Sequence, residues 1–164
     1  MDSNIDKTKI LFVCLGNICR SPAAEGIMRH LAEVKGLSHL LQVDSAGIGG
    51  WHVGQLPDHR MRRHGIRHGY DFNSRARQFS SADFSQFDYI VGMDQENIHD
   101  ICRKARNEGD KHKVICMADY LSHHPRHHEI PDPYYGDDHD FELVIDLLED
   151  ACEGLLATLL NKHR

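Results

Sequence analysis

Residues 10–22 read ILFVCLGNICRSP, five apolar residues without a break, a six-residue turn, then Ser-Pro. An apolar run this short and this uniform fits a strand buried on both faces, since a half-exposed strand would alternate. Such a strand needs a covering layer on each side. Ser-Pro is a helix start, with Ser21 as N-cap and Pro22 as the first helical residue. Ala23, Ala24, Ile27, Met28, Leu31 and Ala32 then recur at helical spacing, and Gly36 ends the element.

The alternation continues. Leu40–Val43 reads as a second strand, followed by a Gly- and Ser-rich loop over 44–54 and a basic helix over 57–64 stopped by Gly65. Phe87–Val91 is a third strand, and Asp94 caps a helix reaching about Arg106. Lys113–Met117 is a fourth strand. Residues 121–138 form a Pro/His/Asp loop, too long to be idle in a compact domain. Phe141, Val144, Ile145, Leu148, Cys152, Leu155, Leu156 and Leu159 make one apolar stripe on a final helix. Strands alternating with helices imply an α/β fold, a parallel sheet covered on both faces. Right-handed crossovers put the turns after the strands along one edge. The expectation is one domain over 1–164, with residues 1–7 flexible, large enough to bury its core without staples.

A net charge of -6 gives no global attraction to nucleic acid or anionic membrane, so an anionic substrate needs a local site. The polar stretch MDSNIDKTK is neither a secretory signal nor a spanning helix. Five cysteines at irregular spacing make a disulfide framework a poor reading and point to a reducing, cytoplasmic setting. No Cys/His pairing has zinc spacing.

Cys14 to Ser21 is a C-x5-R stretch between a strand and a helix start. Bent around an anion, a loop of this size aims successive N–H groups inward, and the helix start adds partial positive charge. Gly16 and Asn17 are residue types that tolerate the positive φ of such a curl. Arg20 offers a planar fork to two phosphate oxygens. A cysteine titrates near ~8.5, and nearby cations and helix N-termini lower that. Cys14 is therefore expected to be a thiolate able to attack phosphorus, with Ser21 donating a hydrogen bond to it. The leaving oxygen then needs an acid. Asp132 lies between two prolines in Ile130-Pro131-Asp132-Pro133-Tyr134-Tyr135, although a loop aspartate is equally a common turn residue. Asp137, Asp138 and Asp140 are rivals, but at a helix start their charge has a structural reason.

CLGNICRSPAAEG (14–26) resembles the signature of the low-molecular-weight protein tyrosine phosphatases. The resemblance continues through VDSAGIGGWHVG (43–54), RMRRHGI (60–66), ARQFSSADFSQFDYIVGMDQEN (76–97) and PDPYYG (131–136). It implies a three-layer sandwich around a four-stranded parallel sheet, of the phosphotyrosine phosphatase I-like kind, without metal or cofactor. It also implies a phosphocysteine mechanism with Cys14 as nucleophile, Arg20 as phosphate clamp and Asp132 as acid, then base. Leu15, Gly16, Asn17, Ile18, Cys19 and Ser21 would bind the substrate with the rest of the loop. Trp51 would form one wall of a slot for a phosphotyrosine ring, and Tyr134 and Tyr135 the other. Asn17 and Ser45 would hold the loop by side-chain hydrogen bonds, though both are equally ordinary turn residues. Many relatives carry a histidine where this chain has Ser74, so that network is expected to be shorter or bridged by water.

Cys19, five residues from Cys14, is either a small buried side chain or a partner for a reversible disulfide. HHPRHHE (123–129) is expected to be a solvated loop rather than a metal site. Arg62, Arg63 and Arg67 read as a solvated face that would also suit acidic phosphopeptides. An arsenate reductase would need a cysteine near Val91-Gly92-Met93-Asp94, where none occurs. Phosphoarginine phosphatases tend to carry threonine at the place of Ile18. A phosphoprotein-binding module would not require Cys14 and Asp132 together.

Overall fold

The computed structural model describes residues 6–162, so the expectation of a flexible lead-in over 1–7 falls mostly outside the described residues. Four parallel strands run β1 (Thr8–Cys14), β2 (Leu41–Gly47), β3 (Tyr89–Gly92) and β4 (Val114–Cys116), in the sheet order β2-β1-β3-β4. The helices are α1 (Arg20–Val34), α2 (His59–Arg67), α3 (Asp83–Gln86), α4 (Gln95–Cys102), α5 (Glu108–Lys111) and α6 (Asp138–Lys162).

The unbroken apolar run has its expected cause. Ile10 and Phe12 enter a core shared with α1 and α6, whereas Leu11 and Val13 meet Phe79, Phe84, Phe87 and Ile101 on the other face. Alternate side chains of one strand thus feed two layers. Register sets Cys14 beside Gly47, Val13 beside Gly92, and Gly92 beside Cys116. The four strands therefore end along one edge, and the strand order switches at β1, with β2 on one side and β3 on the other, which is where open α/β sheets build sites.

Several boundaries differ from those read in the sequence. The second strand runs on to Gly47, because residues 44–47 pair with the end of β1, and the loop begins only after it. α1 starts at Arg20 with Cys19 at the cap position and no side-chain cap, so Ser21 is not the N-cap; its hydroxyl is engaged elsewhere. Gly36 does close α1, at φ 71, with Leu37 N–H bonded to the Ala32 carbonyl. Gly65 does not stop α2. It lies inside the helix because a Cβ there would stand 2.5 Å from the Phe72 ring, and the helix gives way instead before Gly69, at φ 87. Asp58 caps α2 through the Arg60 N–H. Asp94 caps α4 as expected, but that helix ends at Cys102, and Asn107 caps the separate α5. Each such cap contributes about 1 kcal/mol.

The long loop over 121–137 is tied down rather than solvated throughout. His124 bonds Asp150 through Nδ1 at 2.8 Å and Asp146 through Nε2 at 2.9 Å. Asp150 also accepts the N–H groups of Ser122 and His123 and the Ser122 hydroxyl. Burial raises the Asp150 pKa, but the His124 and backbone hydrogen bonds outweigh it and hold the carboxyl at about 2. Those bonds from Asp150 and Asp146 push His124 upward. No group of side chains suited to a metal occurs among the described residues.

A histidine whose folded pKa is raised contributes stability that is complete below its unfolded value of ~6.5 and is lost as pH rises through the folded value. The melting temperature is therefore expected to fall as pH rises from ~6.5 into the alkaline range, and to fall less for His124→Gln. Thermal denaturation across that range checks it, and equal slopes would refute the His124 contribution.

Candidate active site

At the end of β1 the chain curls through Leu15–Cys19 into α1. The carbonyls of Cys14 and Leu15 accept the N–H groups of Ile48 and Gly49, just past β2, at 2.9 Å each. The Ile18 carbonyl accepts Asp58 N–H at 2.8 Å, and the Cys19 carbonyl accepts Ala23 N–H at 3.3 Å. The N–H groups of residues 15–19, by contrast, find no acceptor among the described residues. A loop whose successive amides are free, and most of whose carbonyls are bonded elsewhere, forms an anion receptor beside a helix N-terminus.

Asn17 makes the curl possible. It takes φ 59, the left-handed region in which asparagine is tolerated. Gly16 has no positive φ, contrary to the expectation for it; its bareness leaves room for His52, 3.1 Å from where a Cβ would lie. Gly47 must also be bare, because a Cβ there would come within 2.8 Å of the Gly16 backbone.

Behind the loop, Asn17 Nδ2 donates to Ser21 Oγ at 2.8 Å and to Ser45 Oγ at 3.0 Å, while its Oδ1 accepts Arg77 N–H at 3.0 Å. Ser45 donates in turn to the buried Glu25 at 2.6 Å. Burial pushes the Glu25 carboxyl up, against Ser45, Arg29 and a hydrogen bond from Ser74. The chain behind the loop thus runs from Asn17 through Ser45 to Glu25.

Cys14 Sγ lies 3.0 Å from Ser21 Oγ and accepts the Ser21 N–H at 3.4 Å. Arg20 is 2% exposed and donates to Asp94 at 2.5 Å and to the Ile130 carbonyl at 3.0 Å. Burial opposes its charge, but Cys14 and Asp94 outweigh that and raise its pKa further. Ile130 N–H bonds the Met93 carbonyl, so the loop bearing Asp132 is moored to the end of β3. Asp132 Oδ2 comes within 3.7 Å of Arg20, and its Oδ1 accepts the Tyr134 N–H.

These groups surround a cavity of about 280 Å³. Cys14, Arg20 and Cys19 lie in it, with Leu15, Gly16 and Ile18 from the loop, and Asp132 joins them from the far loop. Trp51, 68% exposed, and the stacked pair Tyr134 and Tyr135 line it too. Asn17, Ser21 and Ser45 do not; their side chains face the interior behind the loop. Asp137 and Asp140 bond each other's N–H groups, and Asp138 bonds the buried His64, so none of these rivals reaches the cavity.

Sequence reasoning missed His52, which lines the cavity and bonds Gln55, and the Asp94 pairing with Arg20. Position two residues past β3 was the available signal for Asp94, but its role as a helix cap already accounted for it. All five cysteines are free thiols. The Cys19 thiol is pushed well above its usual range by burial first, then by Cys14 and Asp58.

Asp94 holds Arg20 through one oxygen and caps α4 through the other, by way of Asn97 N–H at 2.7 Å. Asp94→Ala is expected to cost about 2–4 kcal/mol, from an unpaired buried charge and a lost cap. Asp94→Asn keeps the cap and is expected to lose about 1 kcal/mol less. Urea denaturation of the two variants measures the difference.

Residues 9–164 match the family described as low molecular weight phosphotyrosine protein phosphatase. The low molecular weight protein-tyrosine-phosphatase YfkJ of Bacillus subtilis is 44% identical over 156 residues, covering 94% of this chain and 97% of its own. The human low molecular weight phosphotyrosine protein phosphatase is 40% identical over 148 residues, covering 90% and 92%. A crystal structure of a protein tyrosine phosphatase from Entamoeba histolytica with Hepes in the active site superposes with a TM-score of 0.92. It is 43% identical and covers 96% of this chain and 100% of its own. The chain belongs to the low molecular weight phosphotyrosine protein phosphatase family.

Proposed function

We propose that the chain, as one domain over 1–164, hydrolyses phosphotyrosine in proteins, and small aryl phosphates, through a phosphocysteine on Cys14. The observation that carries this is the loop 15–19, whose amides are free among the described residues while the Leu15, Ile18 and Cys19 carbonyls are bonded away, wrapped beside the Cys14 sulfur. Phosphate oxygens would take those amides and Arg20, held in place by Asp94. The sulfur attacks phosphorus as the bond to the phenolic oxygen breaks, and Asp132 gives its proton to that oxygen. Asp132 then takes a proton from water, which attacks phosphorus and breaks the S–P bond, releasing inorganic phosphate. The Ser21 hydroxyl, 3.0 Å from the sulfur, is placed to donate to the departing thiolate.

Arg20 and the loop amides supply the positive charge for this reaction, so the chain's own groups carry it without metal or cofactor. The walls support an aromatic substrate, since Trp51, Tyr134 and Tyr135 offer ring faces at the mouth. A phenol leaves near pKa ~10, far more readily than an alkoxide. Leu15 and Ile18 form the rim, and Ile18 adds apolar surface where a ring would lie. A thiolate nucleophile favours a reducing compartment, which supports a cytoplasmic location. No helix among the described residues is long and apolar enough to cross a membrane.

Cys14→Ser is expected to reduce hydrolysis of both phosphotyrosine and p-nitrophenyl phosphate to background. Asp132→Ala is expected to lower kcat on phosphotyrosine by about 10²–10⁴-fold, and less on p-nitrophenyl phosphate, whose leaving group needs less help. Metal-free assays of the three proteins test this, and a wild type inactive on both substrates would refute the reading.

A further inference from the structure

We propose that the outer face of α2 is a docking subsite for acidic residues flanking the phosphotyrosine of a substrate protein. The proposal rests on the phosphatase reading above. α2 buries Met61, His64 and Gly65 and turns His59, Arg62, Arg63, Ile66 and Arg67 outward. Those positions are i, i+3, i+4, i+7 and i+8, one helix face, and they line a shallow depression of about 450 Å³.

Three arginines lie on this face of a chain whose net charge is -6. Arg63 is bound to Asp138 at 3.0 Å. Arg62 donates through Nε to the Pro57 carbonyl, and neither Arg62 nor Arg67 has an acidic partner among the described residues. Ile66, 68% exposed, sits between them and gives a partner an apolar foothold.

The face is coupled to the cavity by its own backbone. Asp58, the cap of α2, donates its N–H to the Ile18 carbonyl of the rim. Arg60, one residue into the helix, donates to the Tyr134 carbonyl at 2.9 Å and lies over the Tyr134 ring. Nine helical residues extend about 13 Å from there. An extended peptide covers roughly 3.3 Å per residue, so side chains about three to six positions from a phosphotyrosine in the cavity reach Arg62 and Arg67. Carboxylates suit guanidinium forks. Around an otherwise acidic molecule, a local positive face also steers acidic partners to the right edge.

The test uses phosphotyrosine peptides alike except for Glu or Lys at positions three to six, on the N-terminal or the C-terminal side. Wild type is expected to show kcat/KM about tenfold higher for the Glu peptide on one side, mainly through KM. The preference should shrink to about twofold at ~0.3 M salt. Arg62→Gln/Arg67→Gln is expected to abolish it, and Arg62→Glu/Arg67→Glu to invert it. Both double variants should hydrolyse p-nitrophenyl phosphate within about twofold of wild type, which also shows that they fold. Hydrolysis of p-nitrophenyl phosphate without any flank preference, or a preference that survives the double variants, overturns the subsite alone. Inactivity on every substrate defeats the phosphatase reading and this one with it. Sedimentation with phosphatidylserine vesicles that the double variants lose, with no peptide preference, would assign the face to lipid and overturn it too.

Discussion

Two backbone hydrogen bonds, from Ile48 to the Cys14 carbonyl and from Gly49 to the Leu15 carbonyl, decide which way the loop 14–20 faces. A peptide unit cannot turn its carbonyl to one side without presenting its N–H to the other. Holding the first two carbonyls against the end of β2 therefore directs the amides that follow away from it. Asn17 completes the turn at φ 59 and spends its whole amide on the interior, with two donors to Ser21 and Ser45 and one acceptor for Arg77. A glycine at 17 would reach the same φ without those bonds, and a side chain at 47 would displace the loop.

The same edge of the sheet supplies the other half of the site. Arg20 is anchored by Asp94 just beyond β3 and by the Ile130 carbonyl, and Ile130 is itself bound to Met93 at the end of that strand. The guanidinium thus links the anion loop to the loop carrying Asp132. Either loop alone could be built from turn residues. Only a parallel sheet, whose strands end together, brings them within one side chain's length of each other. Further back, His124 and Asp150 fix the start of the same long loop against α6. A segment without regular structure is in this way held at both ends.

The fold and the centre of the site were legible because their causes are local. A strand buried on two faces must be apolar throughout, which Ile10–Cys14 is, and C-x5-R before a helix start has few other uses. What was not legible depended on residues distant in sequence. Ser21 has the composition of a cap, but Cys14 and Asn17 compete for its hydroxyl and win. Gly65 looks like a helix stop until Phe72 is placed against it. Gly16 and Asn17 both suit a left-handed turn, and only the packing of His52 against one of them shows which is used. HHPRHHE has no periodicity to mark His124 as an anchor, since its partners lie more than twenty residues away. The Arg20 partner was hidden for a different reason: Asp94 was already explained as a cap, and one carboxylate performing two tasks leaves no second signal.

The loop holds two cysteines of nearly equal burial, 3% exposed at Cys14 and 4% at Cys19, and burial alone does not choose between them. The difference lies in what each sulfur faces. Cys14 has the Ser21 N–H and hydroxyl on it. Burial first, then Cys14, Asp58 and Asp132, with Arg60 opposing them, holds the Cys19 proton more tightly than in water. One turn of chain thus separates a sulfur met by donors from a sulfur met by negative charge. The proposed choice of Cys14 over Cys19 as nucleophile rests on that arrangement more than on the identity of the residue, which the two positions share.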